Sequence, residues 1–359
     1  MTQQKGYILF ITFSMLALCA TLVSMFMIKG ITHKKLSSAL LQREKLQDFT
    51  VNCVAIAQSY LSISADELGK NDTNKQSESS EKKAPIDPVK KTLEKFLAVR
   101  NDGQKFNFEE IEKNFPVVIN LTFFAESGKI NINGLYDLVQ QKFYDEGVAG
   151  KDRKVFATWL FDRIAKITEK PSLLQPFIDH MKQRKSPLND VTELLTIKEF
   201  STCFADAIFY SKGSVDQADN ARNKKIFLMD IFTVAHESDV LQPWLFSPSV
   251  CVLLDIAQKN EKNGILEKKE EKIDISSFKQ ESNWQKDWDA ALKELYGIPY
   301  DKIPDSVKGL LATQFSSTVF SVMATVSKED VIAQVFAILK QKRLPDGAII
   351  YDVIKTYQV

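Results

Sequence analysis

The sequence predicts an α+β fold, in which a long N-terminal helix supports an antiparallel sheet and an all-α subdomain is inserted into that sheet. Three observations carry this prediction. Tyr7 to Ile28 is an uncharged apolar run, and no proline or glycine interrupts Ile31 to Ala65, so one helix is predicted over residues 7–65. Near the C-terminus Phe320, Val322, Ala324 and Val326 alternate with polar or smaller residues. Val331 to Leu339, apolar apart from Gln334, reads as a strand or short helix, and Ile349, Tyr351 and Val353 alternate again, for which a three-stranded antiparallel meander is the economical reading. Between Gly150 and Gly213 there is no glycine, while Phe156, Leu160, Ile164, Phe177 and Ile178 mark compact helices.

The first element has two parts. As a helix, Tyr7 to Ile28 spans about 33 Å, enough to cross a bilayer core. It is too long and too near the N-terminus for a cleaved secretory signal. Cys19 follows Leu16-Ala17-Leu18, and Leu18 is too bulky for the position before a lipidated cysteine. Lys5-Gly6 directly before the apolar run is similar to a prepilin-type leader. That resemblance implies a leader of residues 1–6, cut between Gly6 and Tyr7, with a methylated amine on Tyr7. An ordinary signal anchor is the plainer reading. Lys29, Lys34 and Lys35 follow the span while only Lys5 and the terminal amine precede it, which argues against an inside N-terminus.

Past the membrane, Leu36, Leu40, Phe49, Cys53, Ile56, Ala57, Tyr60 and Leu61 are compatible with one apolar stripe, so this half of the helix is expected to pack on a head. Residues 66–92 read as a polar linker, because Lys70 to Glu81 contains no large apolar residue. Asn260 to Lys272 reads as a second polar excursion. The head is expected to comprise 93–144 and 213–359, with strands over Val117–Phe124 and Ile226–Val234, and the helical subdomain 145–212. Asp190-Val191-Thr192-Glu193 resembles a capping box. Leu344-Pro345-Asp346-Gly347 reads as a turn.

Composition excludes several function classes. The net charge of +1 implies no nucleic-acid surface. Apart from Cys19, the cysteines Cys53, Cys203 and Cys251 allow one disulfide but no framework. His33, His180 and His236 lack metal-ligand spacing. No nucleophile elbow, Walker loop, dinucleotide fingerprint or HExxH occurs. Glu109-Glu110 and Asp145-Glu146 read as surface acids. Glu126 has no histidine or second acid beside it in any recognisable motif, so no enzyme is predicted. Lys182, Arg184 and Lys185 read as a solvated helix end. Trp284 and Trp288 share one helical face, and packing is the reading favoured over a partner site.

Phe124-Ala125-Glu126-Ser127-Gly128-Lys129-Ile130-Asn131-Ile132-Asn133 resembles a motif of the K-type minor pseudopilins of type II secretion. That family carries an acidic residue, then Gly-Lys, then Asn-apolar-Asn at a strand's end. Lys185 to Leu194, ending in Glu193-Leu194, is similar to a short segment of the family's helical subdomain. The order of leader, helix, strand, helical insertion and β-meander also matches. The family's second Asn-apolar-Asn-Thr motif is absent, and Leu241 to Pro248 stands in its place. The acidic, Trp-Asp-rich loop common in its insertion is absent too.

The resemblance implies a pilin-like sheet and a mechanical, non-catalytic role at the tip of a pseudopilus, priming assembly. The implied partners are other minor pseudopilins, a prepilin peptidase and the inner-membrane assembly platform. The implied location is the bacterial inner membrane, single-pass, with a periplasmic head. Most pilins carry Glu at the fifth mature position. Here it is Ile11, and K-type members characteristically lack that Glu. Calcium is possible by family, but no ligand can be carried over. Asp216, Asp219 and Asn220 are the one oxygen-rich cluster in the sequence and read as a solvated loop. Asn131 and Asn133 are expected to secure the strand's exit by bonding to nearby backbone. Two alternatives stand beside this reading: a minor pilin of a type IV pilus or DNA-uptake system, and a membrane-anchored periplasmic enzyme or receptor.

Overall fold

A computed structural model describes residues 3–63, 88–100, 104–108, 117–210, 225–235, 238–256, 275–328 and 331–359. Helix α1 runs unbroken from Gln3 to Leu61. At 1.5 Å per residue it is about 88 Å long. From Phe10 to Leu40 every described side chain is exposed. It is the one helix among the described residues long and apolar enough to cross a membrane. Further on, Leu46, Thr50, Cys53, Val54, Ala57 and Leu61 are buried at helical spacing. Leu36 and Leu40, expected on the packed stripe, are exposed instead. Among the described residues, Leu46 is the first buried side chain of α1.

Five antiparallel strands form the sheet: β1 (Gln104–Phe108), β2 (Val117–Ala125), β7 (Val319–Lys328), β8 (Val331–Arg343) and β9 (Ile349–Gln358), in that spatial order. The register places Phe123 opposite Val322 and Val322 opposite Ala337. This row belongs to the face that α1 covers, where Tyr60 stacks on Phe123 at 5.7 Å. Ala324, Ala333 and Ala337 are fully or nearly fully buried there. Their small side chains leave room for the helix. Helix α2 (Pro88–Arg100) closes the same face, with Phe96 packed on Phe320 at 5.4 Å. The predicted linker 66–92 therefore ends in a helix at Pro88, a residue suited to a first helical turn. The predicted C-terminal meander is present, and its turn closes through the Gly347 amide on the Leu344 carbonyl, with Gly347 at φ +89°.

The opposite face is covered by the excursion between β2 and β7. Those strands are neighbours in the sheet, yet the chain leaves at Glu126 and returns only at Val319. The inserted region is thus far longer than the predicted 145–212. Residues 213–318, expected to share the sheet, add no strand to it among the described residues. Their sequence misleads for a definable reason. Ile226, Phe227, Leu228 and Met229 are buried all round, and such a run does not distinguish a strand from a buried helical turn. Leu228–Ile231 forms one helical turn, and only Phe232–Thr233 (β6) is extended, pairing in parallel with Ile130–Asn131 (β3), while Tyr136–Asp137 (β4) and Lys142–Phe143 (β5) form a separate antiparallel pair. Beyond it, Pro243, Pro248, Pro299 and Pro304 punctuate the chain into short helical pieces.

The insertion has its own aromatic core. Helix α3 (Arg153–Thr168) is capped by Asp152, which accepts from the amides of Lys154 and Val155 at 2.8 and 3.2 Å. It carries Phe161, which packs on Phe177 of helix α4 (Leu174–Gln183), on Phe200 of helix α5 (Lys198–Phe204) and on Phe232. Trp284 and Trp288 are core residues, as packing at helical spacing predicted. Their indole N–H groups donate to the carbonyls of Ala312 and Ile298 at 2.6 and 2.9 Å. All four cysteines are free, so the disulfide that the count allowed is not formed.

Gly128 fixes how the insertion seats on the sheet. A Cβ there would lie 1.6 Å from the Leu245 carbonyl oxygen. Backbone cannot give way as a flexible side chain can. Gly128→Ala should therefore destabilise the folded protein by about 2 kcal/mol or more. Gly30→Ala, where a Cβ would meet nothing inside a helix, should not lower the denaturation midpoint. Chemical denaturation of the detergent-solubilised chain checks both, and equal midpoints for the two variants would contradict the packing described.

Candidate functional site

The motif at Phe124–Asn133 begins where β2 ends. Glu126-Ser127-Gly128 makes one 3-10 turn, which swings Lys129 back towards Glu126. Both side chains are buried and form an ion pair. Glu126 also accepts from the hydroxyl of Ser321 on β7 at 2.6 Å, and from that of Thr233 on β6. Lys129 donates to Ser321 at 3.0 Å and lies over the rings of Phe124 and Phe336, 5.7 and 5.4 Å from their centroids. One residue of the sheet and one of the insertion thus complete the coordination of a single carboxylate. A charge buried here without its partner would cost about 3–5 kcal/mol.

A second buried acid lies behind this pair. Asp230 accepts from the Ser249 amide at 2.7 Å through one carboxylate oxygen, and its other oxygen has no partner among the described residues. Burial pushes its pKa up. The nearby Lys129 charge and the Ser249 hydrogen bonds oppose that shift, and Glu126 adds to it.

Asn131 and Asn133 both bond to backbone, one nearby and the other far along the chain. Asn131 accepts from the Asn133 amide at 3.2 Å, capping the next turn, and donates to Asp239 at 3.1 Å. Asn133 grips the backbone of Leu188 in both directions: its amide nitrogen donates to the Leu188 carbonyl and its oxygen accepts the Leu188 N–H, each at 2.9 Å. Leu188 belongs to the second motif, so the fold joins two segments that the sequence could only place side by side in a comparison.

That second motif is held as a capping box. Asp190 accepts from the Thr192 amide at 2.8 Å, and Glu193 accepts from the amides of Asn189 and Asp190 at 2.9 and 3.1 Å. Glu193 also pairs with Arg184 at 2.8 Å, and Leu194 is fully buried. Asp190 then ties the insertion to β9, accepting from the Tyr357 hydroxyl at 2.6 Å and pairing with Lys355. Burial pushes the Asp190 carboxyl up, but the hydrogen bonds from Lys355, Tyr357 and Thr192 outweigh it and hold the pKa below the usual range. Between the two motifs lies a cavity of about 350 Å³. Glu126 and Thr233 line it beside Lys355 and Tyr357.

The arrangement is suited to holding elements together. Each oxygen of Glu126 is engaged by a hydroxyl, and one of them by Lys129 as well. Asp230, Thr233, Ser321, Lys355 and Tyr357 were not found by sequence reasoning, because each lies far along the chain from the motif it serves. The Glu126–Lys129 spacing of three was the one legible sign of the pair. Among the described residues no group of three His, Cys, Asp or Glu is placed to hold a metal. Asp216, Asp219, Asn220, His236, Glu109 and Glu110 lie outside the described residues, as do the polar stretches 70–81 and 260–272. Gly6 and Tyr7 lie within the continuous helix α1, and Ile11 is exposed on it.

These features define a class: an α+β protein whose first helix is exposed and apolar at one end and a packed spine at the other. One such apolar helix is consistent with a single-pass membrane anchor. This chain is similar to a solved structure described as the GspK-GspI-GspJ complex from the enterotoxigenic Escherichia coli Type 2 Secretion System. The two are 10% identical, the match covers 76% of this chain and 93% of that one, and the TM-score is 0.35. No family model and no curated protein matches this chain.

Asn133→Ala should cost about 1–3 kcal/mol, because it strands a buried donor and acceptor of Leu188 together. Asn131→Ala should cost less, since its partner Asp239 is exposed to water. Denaturation of both variants checks the order, and a reversed order would contradict the geometry. For Asp230, a raised native pKa means that the folded state holds the proton more tightly than the unfolded chain. Its contribution is full below the unfolded value of about 3.9 and is lost as pH rises through the native value. Relative to Asp230→Asn, the unsubstituted protein should lose stability steadily as pH is raised from about 4. A pH-independent difference in melting would refute this assignment.

Proposed function

We propose that this chain is a K-type minor pseudopilin of type II secretion. It sits at the tip of a pseudopilus and primes assembly with other minor pseudopilins. The observation that carries the reading is the division of α1. Its first half offers apolar side chains on every side, and its second half is clamped to an antiparallel sheet. Such a helix anchors a head and fixes its height above the membrane. The motif residues Glu126, Gly128, Lys129, Asn131, Asn133, Glu193 and Leu194 serve to seat the insertion, which is a mechanical role and not a catalytic one.

The tip position is supported by two features. Ile11 leaves no carboxylate in the span to pair with the amine of a subunit ahead, and an unpaired charge there would cost about 2.5 kcal/mol or more. The insertion adds bulk to the sheet face opposite α1, which a slim shaft subunit repeating every few ångströms would not accommodate. The head is placed in the periplasm and the anchor in the inner membrane. A prepilin peptidase cuts between Gly6 and Tyr7, and the assembly platform receives the mature chain.

Mass spectrometry of the mature N-terminus, together with co-purification and imaging with partner pseudopilins, tests the reading. A methylated Tyr7 terminus and a stable small complex are expected. Intact Met1, a lipid on Cys19, or a continuous homopolymer of this chain would overturn it.

A further inference from the structure

The stretch of α1 between the apolar span and the head carries an unassigned pattern of charge. Lys29, Lys34 and Lys35 follow Ile28, with His33 among them, and no acidic residue occurs before Glu44. All three lysines are exposed, and no ion pair joins them to another described residue. From Lys29 to Lys35 the helix rises about 9 Å. The apolar run before them already matches the hydrocarbon core, and the headgroup layer is some 5–7 Å thick on each side, so Lys29 lies within it while the backbone of Lys34 and Lys35, about 9 and 10.5 Å beyond Ile28, lies just outside it with side chains that slant back towards the membrane.

Their angular placement is the decisive feature. At 3.6 residues per turn, the three lysines divide the helix circumference into gaps of about 140°, 100° and 120°. They therefore form a ring and not a stripe. A protein partner packed against one side of α1 would be met by charge on that side. Lipid headgroups surround an inserted helix on all sides and can pair with all three lysines together. Ile31, exposed between the lysines, offers apolar surface to the acyl boundary.

We propose that Lys29, Lys34 and Lys35 form a cationic ring that binds anionic phospholipid headgroups and sets how deeply α1 sits in the bilayer. The proposal rests on the reading of α1 as a membrane anchor. It does not depend on which side of the membrane the head occupies.

The test uses the full chain reconstituted in phosphatidylcholine vesicles, with and without about one-third phosphatidylglycerol. Flotation of the neutral vesicles reports the anchor itself. Spin-labelled phosphatidylglycerol and phosphatidylcholine then report which lipid is held at the helix. The expected result is a preference of about fivefold or more for phosphatidylglycerol, falling towards none in high salt. Lys29→Gln, Lys34→Gln and Lys35→Gln should each remove a similar part of it, and the triple variant should abolish it while flotation is unchanged. Flotation with no preference, or a preference that survives the triple variant, would overturn the proposal alone. Dominance of one lysine, or loss of an acidic protein partner with lipid selectivity intact, would do the same. Failure to float would overturn the anchor reading and the proposal with it.

Discussion

The buried pair of Glu126 and Lys129 is the constraint on which the head depends. It stands at the point where the chain leaves β2 for the insertion. Two desolvated charges persist there only if the groups around them are in place. Thr233 must arrive from β6, midway along the excursion, and Ser321 from β7, just past its end. Strand pairing alone would leave the insertion free to pivot about its connections. The pair removes that freedom, because a displaced Thr233 or Ser321 would expose an ion to an incomplete shell. Its contribution is thus to specify one arrangement, more than to add net stability over an apolar alternative.

The rest of the head follows from this junction. With the insertion seated, the sheet is covered on both faces: α1 and α2 lie over Phe123, Val322 and Ala337, and the insertion lies over Phe124, Ser321 and Phe336. Gly128 permits the contact by letting Leu245 approach its Cα. Asn133 and Asp190 then extend the attachment outwards, one to Leu188 and the other to Lys355 and Tyr357 at the far edge of the sheet. The same division gives α1 its two roles. Its second half is committed to the sheet, while its first half keeps its described side chains exposed.

The sequence made some of this plain and hid the rest. The C-terminal meander was legible because Phe320 to Val326 and Ile349 to Val353 alternate at the strand period and Pro345-Asp346-Gly347 sets the turn. The capping box was legible because Asp190 and Glu193 act within one turn. The extent of the insertion was not legible. Ile226 to Met229 is buried on all sides, so it carries no periodicity from which a helix could be told from a strand. Leu36 and Leu40 read as part of the packed stripe because they keep the spacing of the residues beyond them. How far a head reaches along a helix is not written in that spacing.

What the sequence determined by itself was therefore local: the length and apolarity of α1, the strand pattern of the meander, and the short motifs that shape a turn or a cap. These depend on residues within a few positions of one another, whose chemistry acts through the nearby backbone. Only the tertiary structure decided that Glu126 meets Thr233 and Ser321, that Asn133 holds Leu188, that Asp190 reaches β9, and that Asp230 is left buried beside the pair. Those partners are brought together by long-range strand pairing and packing. Hydroxyls such as Thr233 and Ser321 carry no mark of their role until a buried carboxylate is placed beside them.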